Sequence, residues 1–282
     1  MKPIAPAARF LSLASAASAA VASATTLAWS GSFPQPFPPM AYNEVLAEAR
    51  GWSAVTFGLA LPILAVSMLS ASRGSVRGRL VWLGCLAYLV YAYLEFAVSP
   101  PFTVLYLVYV AAFACAIPAL LLLVASIDTD ALPAAFSDRV PRRSVAIFSL
   151  TFSALLAVAW LRDIARRTLA GDVGWLGPEA SVGHVVHALD LGLLVPLGIA
   201  TGILLLRGRP SGYLLASVFL GVAVCMGAAL VAMVGCSAVV SRTSPLQAAP
   251  FGVVWIVSVV LAVAFYRALS GSRLQSERSS PA

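Results

Sequence analysis

Apolar residues along this chain follow neither the three-to-four spacing of a surface helix nor the alternation of a half-buried strand. They come in long, almost unbroken runs. A helix needs about 20 mostly apolar residues to cross the hydrocarbon core of a bilayer, and eight runs reach or approach that length: 9–30, 52–71, 80–98, 102–126, 145–161, 183–206, 212–235 and 250–266. The pattern predicts an all-α fold, a polytopic transmembrane helix bundle of about eight spans. Its division is a first four-helix half (1–126), a cytoplasmic linker (127–144), a second four-helix half (145–268) and a disordered cytoplasmic tail (269–282).

Charged residues fall between the runs, and the basic ones favour alternate connections. Lys2, Arg9, Arg73, Arg77, Arg79, Arg139, Arg142, Arg143, Arg207, Arg209, Arg267, Arg273 and Arg278 lie on one set of segments, 13 of the 18 basic residues; Arg50, Arg162, Arg166, Arg167 and Arg242 lie on the other. Positive charge marks the cytoplasmic face, so both termini are expected inside. The net charge of +7 then reports orientation rather than a nucleic-acid surface, and the expected partner is the lipid bilayer.

Composition agrees with this reading. The chain is 61% hydrophobic and 10% charged, against about 25% charged in soluble domains. Arg outnumbers Lys seventeen to one and alanine is abundant, a bias of GC-rich bacterial genomes, which makes a bacterial plasma membrane the expected location. Cys85, Cys115 and Cys225 sit within apolar runs and only Cys236 reaches an outer end, so no disulfide framework is implied.

Residues 1–24 imitate a secretory signal, with Lys2 and Arg9, an apolar stretch and Ala22, Ser23 and Ala24 in an A-x-A arrangement. The apolar stretch continues to Trp29, long enough to span, and is read as a retained helix. An internal duplication supports that choice. GLALPILA (58–65) matches GLLVPLGI (192–199), and each proline, Pro62 and Pro196, is followed eleven residues later by Arg-Gly. PFTVLYLVYV (101–110) matches PFGVVWIVSV (250–259), and TLAWS (26–30) resembles AVAWL (157–161). Two four-helix halves in the same orientation are expected, related by an axis along the membrane normal as in parallel-repeat transporters. The interior prolines predict matched kinks.

Buried ionisable groups mark sites, pathways or internal pairs in membrane proteins. Two acids qualify. Asp190 lies about seven residues, roughly 10 Å, from the outer end of span six, and Glu95 lies about a turn inside the outer end of span three. His184, His187 and Asp190 advance in threes, which puts them on one broad helix face. With Glu95 they offer imidazole and carboxylate ligands to a metal, or a relay in which histidine changes charge near neutral pH. Histidines three apart point the same way and cannot be the opposed axial ligands of a haem, and no cofactor is called for. Tyr88, Tyr91 and Glu95 form one stripe at i, i+3 and i+7, suited to lining a polar cavity. At the 134-residue offset Asp190 corresponds to Thr56, His187 to Ser53 and His184 to Arg50, so the halves share scaffold rather than chemistry. Among the connections, 31–40 is proline-rich and expected extended, 41–50 a short helix leading into span two, and 162–182 a helix lying on the membrane surface.

RGSVRGRLVWLGCLAYLVYAYLEF (73–96), LYLVYVAAF (105–113) and ALDLGLLVPLGIATGILLLRGRPSGYLLA (188–216) together resemble an uncharacterised family of bacterial multi-pass integral membrane proteins. The resemblance covers most of spans two to seven. It implies polytopic topology and no activity; relatives often place an acid near the start of span two, where this chain has Gly51, Trp52 and Ser53.

Three functional readings follow. The first is a small-solute or ion transporter with its path between the halves and a protonatable outer-half site of Asp190, Glu95, His187, His184, Tyr91 and Tyr88. The second is an intramembrane metal-dependent enzyme using His184, His187 and Asp190, although the chain carries no catalytic signature. The third is a membrane scaffold or sensor. Substrate and oligomeric state have no sequence signal.

Overall fold

The computed structural model describes residues 2–32, 39–99, 102–171 and 178–269. Among them every regular element is helical, and the only strand-like pairing is an isolated bridge between Phe136 and Leu269. A lipid-exposed backbone must satisfy its own polar groups, which selects helices. The elements are α1 (Pro6–Ala28), α2 (Pro39–Val55), α3 (Leu61–Ser72), α4 (Val76–Val98), α5 (Tyr106–Ala125), the short α6 (Leu132–Ala135), α7 (Arg142–Leu169), α8 (Pro178–Leu189), α9 (Val195–Leu206), α10 (Pro210–Val240) and α11 (Ala249–Arg267). A single π-helical turn, Thr56–Ala60, joins α2 to α3, and another, Asp190–Leu194, joins α8 to α9. Among the described residues, eight helical stretches are long and apolar enough to span a bilayer.

The two most buried spans are α4 and α10, with 56% and 61% of their apolar windows inside the molecule against 22–39% for the rest. They pack on each other at the centre. Small residues make this possible: a Cβ built on Gly84 or on Gly221 would fall within 2.8 Å of the other's Cα. Packing without a hydrophobic drive depends on such close approach. Within the first half α1 packs on α5, and α3 and α5 on α4; within the second α7 packs on α9, and α9 and α11 on α10. Contacts also cross between halves, α2 lying on α10 and α8 on α4. Span one is an integral part of the bundle: Trp82 donates to Ser12 Oγ at 3.0 Å, Ser15 to the Ala112 carbonyl at 2.8 Å and Tyr93 to the Ala19 carbonyl at 3.0 Å.

Several local features recur at an offset of 134 residues. In the π turns the Leu61 N–H bonds to the Thr56 carbonyl and the Val195 N–H to the Asp190 carbonyl. The helices that follow end in glycines at positive φ, Gly74 (86°) and Gly208 (66°), the left-handed position at which helices commonly stop. Gly78 then packs on the backbone of Ala71 as Gly212 does on that of Leu205, an added Cβ meeting the amide nitrogen at 2.6 Å in both. Pro62 and Pro196 stand at the start of α3 and α9. The expected kinks thus take the form of π turns, which absorb the hydrogen bond that each proline cannot make.

The basic connections gather at one end. The Lys2 N–H bonds the Ser126 carbonyl at 3.0 Å, Arg79 Nη1 donates to the Lys2 carbonyl at 2.6 Å, and Arg77 Nη2 to the Leu269 carbonyl at 3.0 Å. Phe136 of the linker packs at a tilt against Tyr213 and Phe265, with ring centroids 5.0 and 4.7 Å apart.

One expectation is extended and another corrected. Residues 41–50 are helical as expected, but the helix runs on without a break, so that span two begins earlier than its apolar run. The 162–182 connection is not a surface helix up to Leu169: α7 continues axially and carries Arg162, Arg166 and Arg167 beyond its apolar part, because nothing interrupts it before Gly171 at positive φ. Most of the proline-rich 31–40 stretch, residues 172–177 and the tail from 270 lie outside the described residues.

Candidate functional site

Asp190 opens the second π turn and is 7% exposed. Its Oδ1 accepts from the Tyr91 hydroxyl at 2.6 Å and its Oδ2 from the Trp160 indole N–H at 2.7 Å. Tyr91 belongs to α4 in the first half, whereas Trp160 belongs to α7 in the second. A buried carboxylate thus ties α4 and α7 to the second π turn, with a donor on each oxygen. A π turn widens the helix locally and often lies at a functional position; here it presents Asp190 toward the centre of the bundle.

A second set of groups continues from Trp160. The His187 ring meets Trp160 edge-on with centroids 4.3 Å apart, and its Nε2 lies 3.6 Å from Asp163 Oδ2. The same Asp163 oxygen accepts from Arg167 Nε at 2.8 Å, one turn along α7. Trp160 thus touches both residues, its indole N–H on Asp190 and its ring against His187, and the imidazole lies within electrostatic range of the Asp190 carboxylate. His184 is half-buried and within electrostatic range of His187.

Glu95, half-buried near the end of α4, is close enough to Asp190 for their charges to interact. Tyr88 is fully buried and pairs with Thr56, hydroxyl to hydroxyl, at 2.7 Å. Thr56 opens the first π turn as Asp190 opens the second. Each turn therefore aims its first side chain at a tyrosine of α4, neutral in one half and acidic in the other.

The structure accordingly brings Asp190, Tyr91 and Glu95 near one another, gives Tyr88 a different partner, and sets His187 against Trp160 and Asp163 within electrostatic range of Asp190. No three His, Cys, Asp or Glu side chains among the described residues converge as a metal-sized ligand set; the His184, His187 and Asp190 trio shares a helix face without converging.

Sequence reasoning missed Trp160 and Asp163, although the AVAWL match had drawn attention to that tryptophan. It also missed a pair of acids in span two. Glu44 Oε1 accepts from Ser241 at 2.6 Å, and Glu48, one turn on, hydrogen-bonds Ser237. The i, i+4 spacing of both pairs, Glu44 with Glu48 and Ser237 with Ser241, was the available signal. Searches of family models, curated proteins and solved structures find no match to this chain.

Proposed function

We propose that this multi-pass membrane protein is a transporter of a small solute or ion, with Asp190 and its neighbour Glu95 as the protonatable centre. The observation that carries the reading is the bridging position of Asp190: one oxygen is held by each half, at a π turn, inside a span. Charge in the bilayer core costs several kcal/mol, so a carboxylate held there, with no Lys or Arg in an ion pair with it among the described residues, is costly as mere packing. A proton or cation arriving at Asp190 changes what it can accept from Tyr91 and Trp160, and so changes the bond between the halves. That is the coupling a transporter needs between binding and movement.

The recurrence of the π turn, the glycine stop and the Gly78 and Gly212 contacts at one offset supports reading the chain as two similarly oriented repeats, the parallel arrangement found among transporters. The basic end is the cytoplasmic face by the charge rule, which puts both termini inside and the Asp190 cluster in the outer half. The membrane is read as a bacterial plasma membrane.

The test uses the full chain in proteoliposomes loaded with pyranine, a pH-reporting dye, and challenged with a panel of small organic anions, organic cations and alkali ions. At least one member should drive proton movement, and Asp190→Asn should abolish it while helix content and melting temperature stay near wild type. Wild-type vesicles silent to the whole panel, or an Asp190→Asn protein that moves protons normally, would refute the reading.

A further inference from the structure

At the basic end, α3, α4, α10 and α11 border an open-sided cavity of about 410 Å³, within the roughly 300–1,000 Å³ of ligand pockets. Its walls are almost wholly apolar, with Val81, Leu220, Val224 and Val263 prominent, and no acidic residue lines it. The tyrosine in the lining, Tyr266, donates its hydroxyl to the Ser217 carbonyl at 3.0 Å, so it asks little of an occupant. Val263 is 44% exposed on α11, which connects the cavity to the apolar perimeter of the bundle.

Two guanidinium groups line the mouth. Arg77 lies in the first turn of α4 and Arg267 is the last residue of α11; both are exposed, and neither is in an ion pair among the described residues. An apolar slot of this size in a membrane protein is solvated by hydrocarbon rather than water. Paired arginines at its rim suit a phosphate, which they bind through planar, bidentate donors. Basic pockets between spans on the cytoplasmic side have this lipid chemistry in general.

We infer that this cavity is a binding site for an anionic phospholipid of the cytoplasmic leaflet, one acyl chain lying along Val81, Leu220 and Val263 and the phosphate between Arg77 and Arg267. The site is separate from the Asp190 cluster and independent of transport.

Native mass spectrometry of the full chain in detergent, supplemented in turn with phosphatidylglycerol, phosphatidylcholine and palmitate, tests it. Wild type should retain phosphatidylglycerol over phosphatidylcholine by roughly tenfold or more, and Arg267→Gln should remove most of that preference. Arg267 is the cleaner target because Arg77 also holds the Leu269 carbonyl. Val263→Trp, on the exposed rim, should reduce retention of phosphatidylglycerol without altering charge. Equal retention of both phospholipids by wild type, a preference unchanged in Arg267→Gln combined with Arg77→Gln, or palmitate held in place of phosphatidylglycerol would each overturn the assignment.

Discussion

Asp190 and Thr56 occupy equivalent places, yet one presents a carboxylate and the other a hydroxyl to the tyrosines of α4, and the difference sets how much each tyrosine contributes. Hydrogen bonds between neutral groups of neighbouring spans are worth about 0.6 kcal/mol on average, whereas bonds to a charged group contribute about 1.5–3 kcal/mol. Tyr91→Phe strips a donor from the 2.6 Å bond to Asp190, while Tyr88→Phe breaks a bond between two hydroxyls and leaves Thr56 free to turn to its own helix backbone. The Tyr91 change should therefore cost about 1 kcal/mol more than the Tyr88 change in detergent unfolding. Equal losses would mean that Asp190 is no stronger an acceptor than Thr56. Part of this cluster was legible beforehand. The Tyr88, Tyr91, Glu95 stripe is a property of one helix, and a lone acid in an apolar run is conspicuous. Trp160 and Asp163 were not legible, because they reach the cluster through the packing of α7 beside α8 and α9, which no local spacing encodes. Glu44 and Glu48 were overlooked because they precede the apolar run that marked span two, although the helix that carries them begins earlier.

The crossing of α4 and α10 depends on glycine at the point of contact. An alanine Cβ at position 221 would enter the van der Waals space of the Gly84 backbone, and backbone cannot rotate away as a side chain does. Overpacking of this kind costs about 1–3 kcal/mol. Gly235, on the same helix, faces open space, and alanine is a better helix former than glycine by about 1 kcal/mol. Gly221→Ala should consequently lower the melting temperature of the purified protein while Gly235→Ala leaves it unchanged or raises it. The same direction for both would show that helix propensity, not the crossing, dominates α10. Span number, order and approximate limits were readable from hydrophobic runs because the bilayer imposes a minimum length. The π turns were foreshadowed only by the matched prolines: a proline announces a missing hydrogen bond, but whether the helix kinks or widens depends on its neighbours. The continuation of α7 past its apolar part was hidden for the opposite reason, since charged residues such as Asp163 and Arg167 suit a helix that lies on the membrane surface as well as one that continues along the span axis.

At the scale of the molecule, the eight spans among the described residues place the first and last of those residues on one side, and the fold gathers them there: Lys2 meets Ser126 and Arg79, Arg77 holds Leu269, and the linker ring of Phe136 packs against Phe265. Which side this is follows from charge alone. Arginine and lysine near span ends resist translocation, and the end that holds the termini carries most of them. The five exceptions weaken the bias without reversing it: Arg162, Arg166 and Arg167 all lie on the extended end of α7, and Arg167 is paired with Asp163. Reporter fusions to truncated and full-length chains separate the possibilities. Green fluorescent protein joined after residue 282 should fluoresce and alkaline phosphatase at the same point should be inactive, while phosphatase joined after residue 171 or after Arg242 should be active. The reverse pattern would turn the molecule over, put the Asp190 cluster in the cytoplasmic half and the Arg77 and Arg267 groove in the outer leaflet. Mixed activity at 171 alone would instead locate the fault in α7, where three arginines compete with the rest of the chain for the cytoplasm. Replacing Arg162 and Arg166 with glutamine should then restore a single orientation, because the remaining charge difference favours the basic end still more.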